Sequence, residues 1–188
     1  IEQAAHGSIV MLGVTPNRPE TGYGYIQAAA GVGPADAQAC VHTVRRFVEK
    51  PNATTAQQYL AEGGYFWNAG MFVLKASVWL QALEQFRPDI LQATTQAWNQ
   101  RRTDANPGTP FVRPGKAEFT AIPAESVDYA VMERCPGSTF PIEMVLLDAG
   151  WDDLGGWEAV WSVLPKDEHG NAHVGDVLTI QSHNTLVH

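Results

Sequence analysis

Opposite charges meet at Phe47-Val48-Glu49-Lys50-Pro51, where a strand runs into a proline-stopped turn. In open α/β sheets the C-terminal ends of strands face the ligand crevice. A lysine there can hold a phosphate as a point charge, and a glutamate can accept hydrogen bonds from hydroxyls. A solvated strand end fits the same spacing. Trp67-Asn68-Ala69-Gly70-Met71 also suits a sugar, because the amide exchanges hydrogen bonds with hydroxyls and the glycine lets a ring approach. Its alternative is a buried tryptophan with an asparagine completing a turn. In Gly150-Trp151-Asp152-Asp153-Leu154-Gly155-Gly156-Trp157, two carboxylates precede a helix. They suit Mg²⁺, which binds through one or two carboxylates plus substrate phosphates, and they equally suit a helix N-cap.

Chemistry elsewhere is sparser. The six histidines never stand at metal-ligand spacing with cysteine or glutamate, and no GxSxG elbow, HExxH or Walker loop is present. Asp128, Tyr129 and Glu133 fall on a short helix, where a solvated face is the expectation.

The elements that must position these segments follow from hydrophobic period and breakers. Residues 8–14, 23–27, 41–48, 65–74, 143–147 and 176–180 read as strands. Thr54 and Thr55 each precede a glutamine by three residues, a capping-box spacing, and Gly63-Gly64 stops that helix. Trp79, Leu83 and Phe86 share one face of the next helix. Pro88 opens another, in which Leu91 and Trp98 repeat the apolar face and Arg101 and Arg102 suit the negative C-terminal end. Residues 103–116 read as a loop, Ser126 as the cap of a short helix, 156–164 as a helix, and Thr185–His188 as one arm of a hairpin. Strands alternating with helices predict an α/β fold with a mixed sheet.

Composition narrows the function class. The chain has 188 residues, is 45% hydrophobic and only 17% charged, and fits one domain with a real core. Its formal charge of −8, with no basic run longer than Arg45-Arg46 or Arg101-Arg102, argues against nucleic acid. No stretch approaches the roughly 20 apolar residues that span a bilayer, so no membrane partner is expected. The first residues lack the basic region and apolar core of a signal peptide. Two lone cysteines, Cys40 and Cys135, fit reduced structural thiols, and a cytoplasmic location is the expectation.

In chain order, Arg18-Pro19-Glu20-Thr21-Gly22-Tyr23-Gly24-Tyr25-Ile26, Phe47-Val48-Glu49-Lys50-Pro51 and Tyr65-Phe66-Trp67-Asn68-Ala69-Gly70-Met71-Phe72 resemble the mannose-1-phosphate guanylyltransferases. Ser126-Val127-Asp128-Tyr129-Ala130-Val131-Met132-Glu133 and Trp151-Asp152-Asp153-Leu154-Gly155-Gly156-Trp157 continue the match. Each motif is weak alone; five in order are specific. The resemblance is strongest to the bacterial enzymes, some of which also carry a phosphomannose isomerase domain.

The resemblance implies a Rossmann-like nucleotidyltransferase fold with a mixed β-sheet. It also implies transfer of a guanylyl group from GTP to mannose 1-phosphate, giving GDP-mannose and pyrophosphate. Residues 1–188 then correspond to the sugar-phosphate-binding, C-terminal portion of the catalytic domain. Glu49 and Asn68 would bind sugar hydroxyls, Gly24 would offer backbone to the sugar, and Lys50 would neutralise the sugar phosphate. Asp153 would help to hold Mg²⁺ or another divalent cation, and Asp128 would support the sugar site. Asp152 stands where the family often has serine and receives no role.

The glycine-rich loop that grips GTP, and an earlier metal-binding aspartate, are absent and are expected upstream of Ile1. The fold is accordingly expected to be incomplete at its N-terminus, with an exposed sheet edge through which a homodimer forms. No cupin-like histidine cluster supports isomerase activity. Two other readings stay open: a non-catalytic nucleotide-sugar or sugar-phosphate binding module, and a related hexose-1-phosphate nucleotidyltransferase.

Overall fold

The computed structural model describes residues 1–29, 41–104, 108 and 110–188, which form two units, Ile1–Leu147 and Asp148–His188. Cys40 and most of the Ala/Gly loop before β3 fall outside the described residues.

The first unit begins with α1 (Glu2–Ala5), β1 (Ile9–Val14), β2 (Tyr25–Ala28) and β3 (Val41–Val48). It continues through α2 (Ala53–Glu62), β4 (Tyr65–Val73), α3 (Ala76–Phe86) and α4 (Pro88–Asn99). A two-residue pair follows, β5 (Arg102–Thr103) against β6 (Val112–Arg113), where the sequence reads as loop. Then come α5 (Lys116–Thr120), α6 (Val127–Ala130), a 3-10 turn at Met132–Arg134 and β7 (Ile142–Leu146). The second unit holds α7 (Trp157–Val163), β8 (Ala172–His173) and β9 (Leu186–Val187).

The main sheet is mixed, as expected, with β1 parallel to β7 and its other pairings antiparallel. Its order β1-β4-β2-β3-β7 closes on itself, so each of the five strands has two neighbours. The exposed edge on which the homodimer expectation rested is therefore not found among the described residues. Closure depends on the length of β3, which pairs with β7 through Val41–Thr43 and with β2 through Val44–Val48.

Two apolar clusters follow from strand alternation. Ile26 and Ala28 of β2 join Ile9, Met11, Val44, Phe47 and Phe66, covered by Val78, Ala82 and Leu83 of α3. Tyr25 points to the other cluster, with Tyr65 and Trp67 of β4 and Ala56 and Tyr59 of α2. Trp79, Phe86 and Leu91 pack on the first cluster as their period predicts, but Trp98 does not. It is 53% exposed beneath the Arg101 guanidinium, and Ala97 takes the inward position at the end of α4.

Local chemistry sets the helix ends. Asn52 caps α2 by accepting from the Thr55 N–H at 2.9 Å, so Thr54 and Thr55 lie inside the helix rather than at its cap. Asparagine outranks threonine at this position, because its carboxamide oxygen reaches the free N–H readily. Ser126 caps α6 as expected, accepting from Tyr129 N–H.

In the second unit residues 176–180 form no strand, and the last residues form no hairpin. Instead β9 pairs parallel with β8. The buried Asn171 side chain is responsible: it accepts from Thr185 N–H at 3.1 Å and donates to the Ser182 carbonyl at 2.9 Å. That bridge lays the final segment alongside β8 in the same direction.

Candidate functional site

Register alone assembles the first part of the site. Tyr25 of β2 pairs with Val48 of β3 on one side and with Trp67 of β4 on the other. One residue further along each antiparallel strand stand Gly24, Glu49 and Asn68, which therefore form a row across one end of the sheet. The Asn68 N–H donates to the Gly24 carbonyl at 2.8 Å. A Cβ at Gly24 would lie 2.5 Å from Oε2 of Glu49, 3.1 Å from the Phe47 ring and 3.3 Å from the Asn68 Cβ. Glycine is needed there because the row is close-packed.

A bulge aims Asn68. The pairing of β1 with β4 shifts between Met11↔Phe72 and Gly13↔Asn68, which sets Ala69–Met71 of β4 opposite Leu12 alone and so adds two residues to that strand. Gly70 sits at φ 69°, and its N–H donates to Oδ1 of Asn68 at 3.0 Å. The carboxamide nitrogen then faces α6 and donates to Oδ1 of Asp128 at 3.1 Å. Bulges commonly re-aim side chains in this way.

Charge completes the row. Glu49 is nearly buried, with 7% of its side chain exposed, and its Oε1 lies 2.6 Å from Nζ of Lys50, which is 57% exposed. That contact raises the lysine's pKa, first through the hydrogen bond and then through the charge of Glu49. The Asp128 carboxyl is also pushed up, mainly by burial and then by Glu49, against the opposing pull of Lys50 and the Asn68 amide. Two carboxylates and one exposed ammonium thus share a small polar end of the sheet. A ligand with hydroxyls to donate and a phosphate to accept would match it.

The Arg18–Gly22 segment borders the same row. The Arg18 guanidinium lies 5.0 Å from the Trp67 ring centroid, and Tyr23 meets that ring edge-on at 5.2 Å. Tyr25 Oη donates to the Glu20 carbonyl at 2.8 Å. The Glu20 side chain accepts from Gly22 N–H, the leading cause of its lowered pKa.

Gly24, Glu49, Lys50, Asn68 and Asp128 are therefore brought together, whereas Asp153 belongs to the second unit. Asp153 is exposed, with Oδ1 3.4 Å from where a Cβ on Gly155 would stand. Neither aspartate caps α7: its N-cap is Gly156, without a side-chain bond, and Oδ2 of Asp152 accepts from Ser162 Oγ at 3.3 Å. Among the described residues no three His, Cys, Asp or Glu side chains form a metal-holding group by themselves.

Glu133 departs from the solvated face expected of it. Its Oε1 accepts the Glu49 backbone N–H at 2.7 Å. Spacing along the chain offers no signal for that bond, since 84 positions separate the two residues.

The nucleotidyl transferase family profile matches residues 1–170. The xanthan biosynthesis protein XanB of Xanthomonas campestris pv. campestris (strain B100) is 44% identical over 185 residues, covering 98% of this chain and 36% of that protein. A mannose-1-phosphate guanylyltransferase of Klebsiella pneumoniae is 45% identical over 186 residues, covering 99% of this chain and 37% of that protein. This chain thus spans a little over a third of the length of such relatives. Among solved structures, the mannose-1-phosphate geranyltransferase from Thermus thermophilus superposes with a TM-score of 0.71 at 30% identity, covering 93% of this chain and 45% of that one.

Proposed function

The chain belongs to the nucleotidyl transferase family, and we propose that its sheet-end site binds mannose 1-phosphate as the acceptor in the formation of GDP-mannose from GTP. The observation that carries this reading is the row Gly24–Glu49–Asn68 with Lys50 beside it. Glu49 and Asn68 offer acceptors and a donor to sugar hydroxyls, Gly24 lets those two side chains close up against the backbone, and Lys50 supplies the ammonium of the row. The names of the relatives support the same sugar and nucleotide.

In the reaction a phosphate oxygen of mannose 1-phosphate bonds to the α-phosphorus of GTP. The bond from that phosphorus to the bridging oxygen breaks, and pyrophosphate leaves with the electron pair. No covalent enzyme intermediate is needed, so catalysis is positioning and charge neutralisation. Lys50 must exchange its Glu49 partner for the substrate phosphate. Asp128 holds the Asn68 amide, which keeps its orientation as the sugar enters.

Asp153 fits a divalent cation such as Mg²⁺ as a lone exposed carboxylate, because that ion commonly takes one or two carboxylates and completes its shell with substrate phosphates and water. Bound there, the cation would neutralise phosphate charge. Among the described residues no helix is long and apolar enough to cross a membrane. We place the reaction in the cytoplasm, where its nucleotide substrate is made.

Titrating tryptophan fluorescence with GDP-mannose and Mg²⁺, against GDP-glucose, tests the reading through Trp67 beside the row. Saturable, mannose-selective quenching is the expected result, and a flat trace overturns it. Selective binding without pyrophosphate release from GTP and mannose 1-phosphate by the full-length protein would favour a binding module, and preference for glucose a related hexose-1-phosphate enzyme.

A further inference from the structure

The ladder between β2 and β3 ends at Tyr25↔Val48, so Glu49 is the first residue beyond the strand and its N–H has no place in that ladder. The chain then turns sharply. Lys50 adopts φ 47°, the left-handed region that residues with side chains seldom enter, and Pro51 follows with no N–H to give. Such a corner persists only where its surroundings over-determine it.

Glu133 supplies the missing partner, its Oε1 standing 2.7 Å from the Glu49 nitrogen. A carboxylate accepting an amide N–H is among the stronger hydrogen bonds available. The turn that carries Glu133 is itself immobilised, because Val131, Met132 and Cys135 are fully buried in the cluster that contains Phe47. One side-chain bond therefore ties a core-anchored turn to the corner that presents both Glu49 and Lys50.

We infer that Glu133 is a positioning residue for acceptor recognition: its carboxylate fixes the Glu49–Lys50 corner so that one side chain meets the sugar hydroxyls and the other the phosphate. The inference rests on the acceptor reading above. A mere stabilising brace would change the melting temperature, whereas a positioning residue changes affinity for one substrate.

The test compares wild type, Glu133→Ala and Glu133→Gln. In the full-length protein, affinities for mannose 1-phosphate and GTP are measured separately, and hydrogen exchange is followed at the Glu49 amide. Glu133→Ala is expected to weaken mannose 1-phosphate binding about tenfold, as loss of a charge-assisted hydrogen bond does, and to leave GTP affinity unchanged. It should also speed Glu49 exchange while the Tyr25–Val48 ladder stays protected. Glu133→Gln keeps a carbonyl acceptor and should recover most of both losses. Wild-type affinity in Glu133→Ala, or a Gln variant no better than Ala, overturns the inference. A wild-type protein that does not bind mannose 1-phosphate overturns the acceptor reading, whereas an unchanged Glu49 exchange rate in Glu133→Ala overturns the role of Glu133 by itself.

Discussion

Glu49 occupies the space that a side chain at Gly24 would need: Oε2 would stand 2.5 Å from a Cβ there. The carboxylate has little freedom to retreat, because its other oxygen is 2.6 Å from Nζ of Lys50 and its side chain is nearly buried. Gly24→Ala should therefore displace a binding group without removing one. Mannose 1-phosphate affinity is expected to fall about tenfold, the scale of one displaced charge-assisted hydrogen bond. Calorimetric titration beside a thermal melt checks it, the melt moving little. A large drop in melting temperature with unchanged affinity would show that Gly24 serves packing alone.

Lys50 carries the exposed positive charge of the row. In the full-length protein, Lys50→Ala is expected to weaken use of mannose 1-phosphate by roughly 10- to 100-fold, from about 1.5–3 kcal/mol for a lost charge-assisted contact. GTP use should change far less. Steady-state kinetics with each substrate varied in turn separates the two, and equal losses on both would contradict the assignment.

Asp128 is held above the ordinary aspartate range, first by burial and then by the charge of Glu49. The folded protein therefore binds that proton more tightly than the unfolded chain does. Its charged form opposes folding above the raised range, and the cost disappears as pH falls through it. Asp128→Asn should accordingly melt higher than wild type at neutral pH, with the gap closing on acidification. Asp128→Ala, by contrast, should weaken mannose 1-phosphate binding, because the acceptor that orients the Asn68 amide is gone. Thermal melts across pH decide it: a gap that is absent or reversed at neutral pH counts against the burial argument.

Much of the scaffold is legible along the chain because its causes are local. β3 appears at Val41–Val48 as alternation predicts, and Ser126 caps α6 because the hydroxyl needs only the N–H of Tyr129. Trp98 reads as core, yet Ala97 faces inward and the indole lies under Arg101. Period cannot distinguish a buried aromatic from one covered by an arginine just beyond its own helix. The parallel pairing of β8 with β9 was equally hidden, since it depends on where the Asn171 amide reaches.

The site divides in the same way. Residue type and spacing nominated Glu49, Lys50 and Asn68, since sugar-phosphate chemistry requires acceptors, a donor and a cation, while Gly24 and Asp128 joined them only through the family resemblance. Their convergence was settled by register, which aligns Val48, Tyr25 and Trp67 across three strands and so places Gly24, Glu49 and Asn68 side by side. Glu133 came from the tertiary structure alone. The hydrogen bond it accepts joins residues 84 positions apart, and no local preference encodes a contact made only when a buried turn packs against the end of a strand.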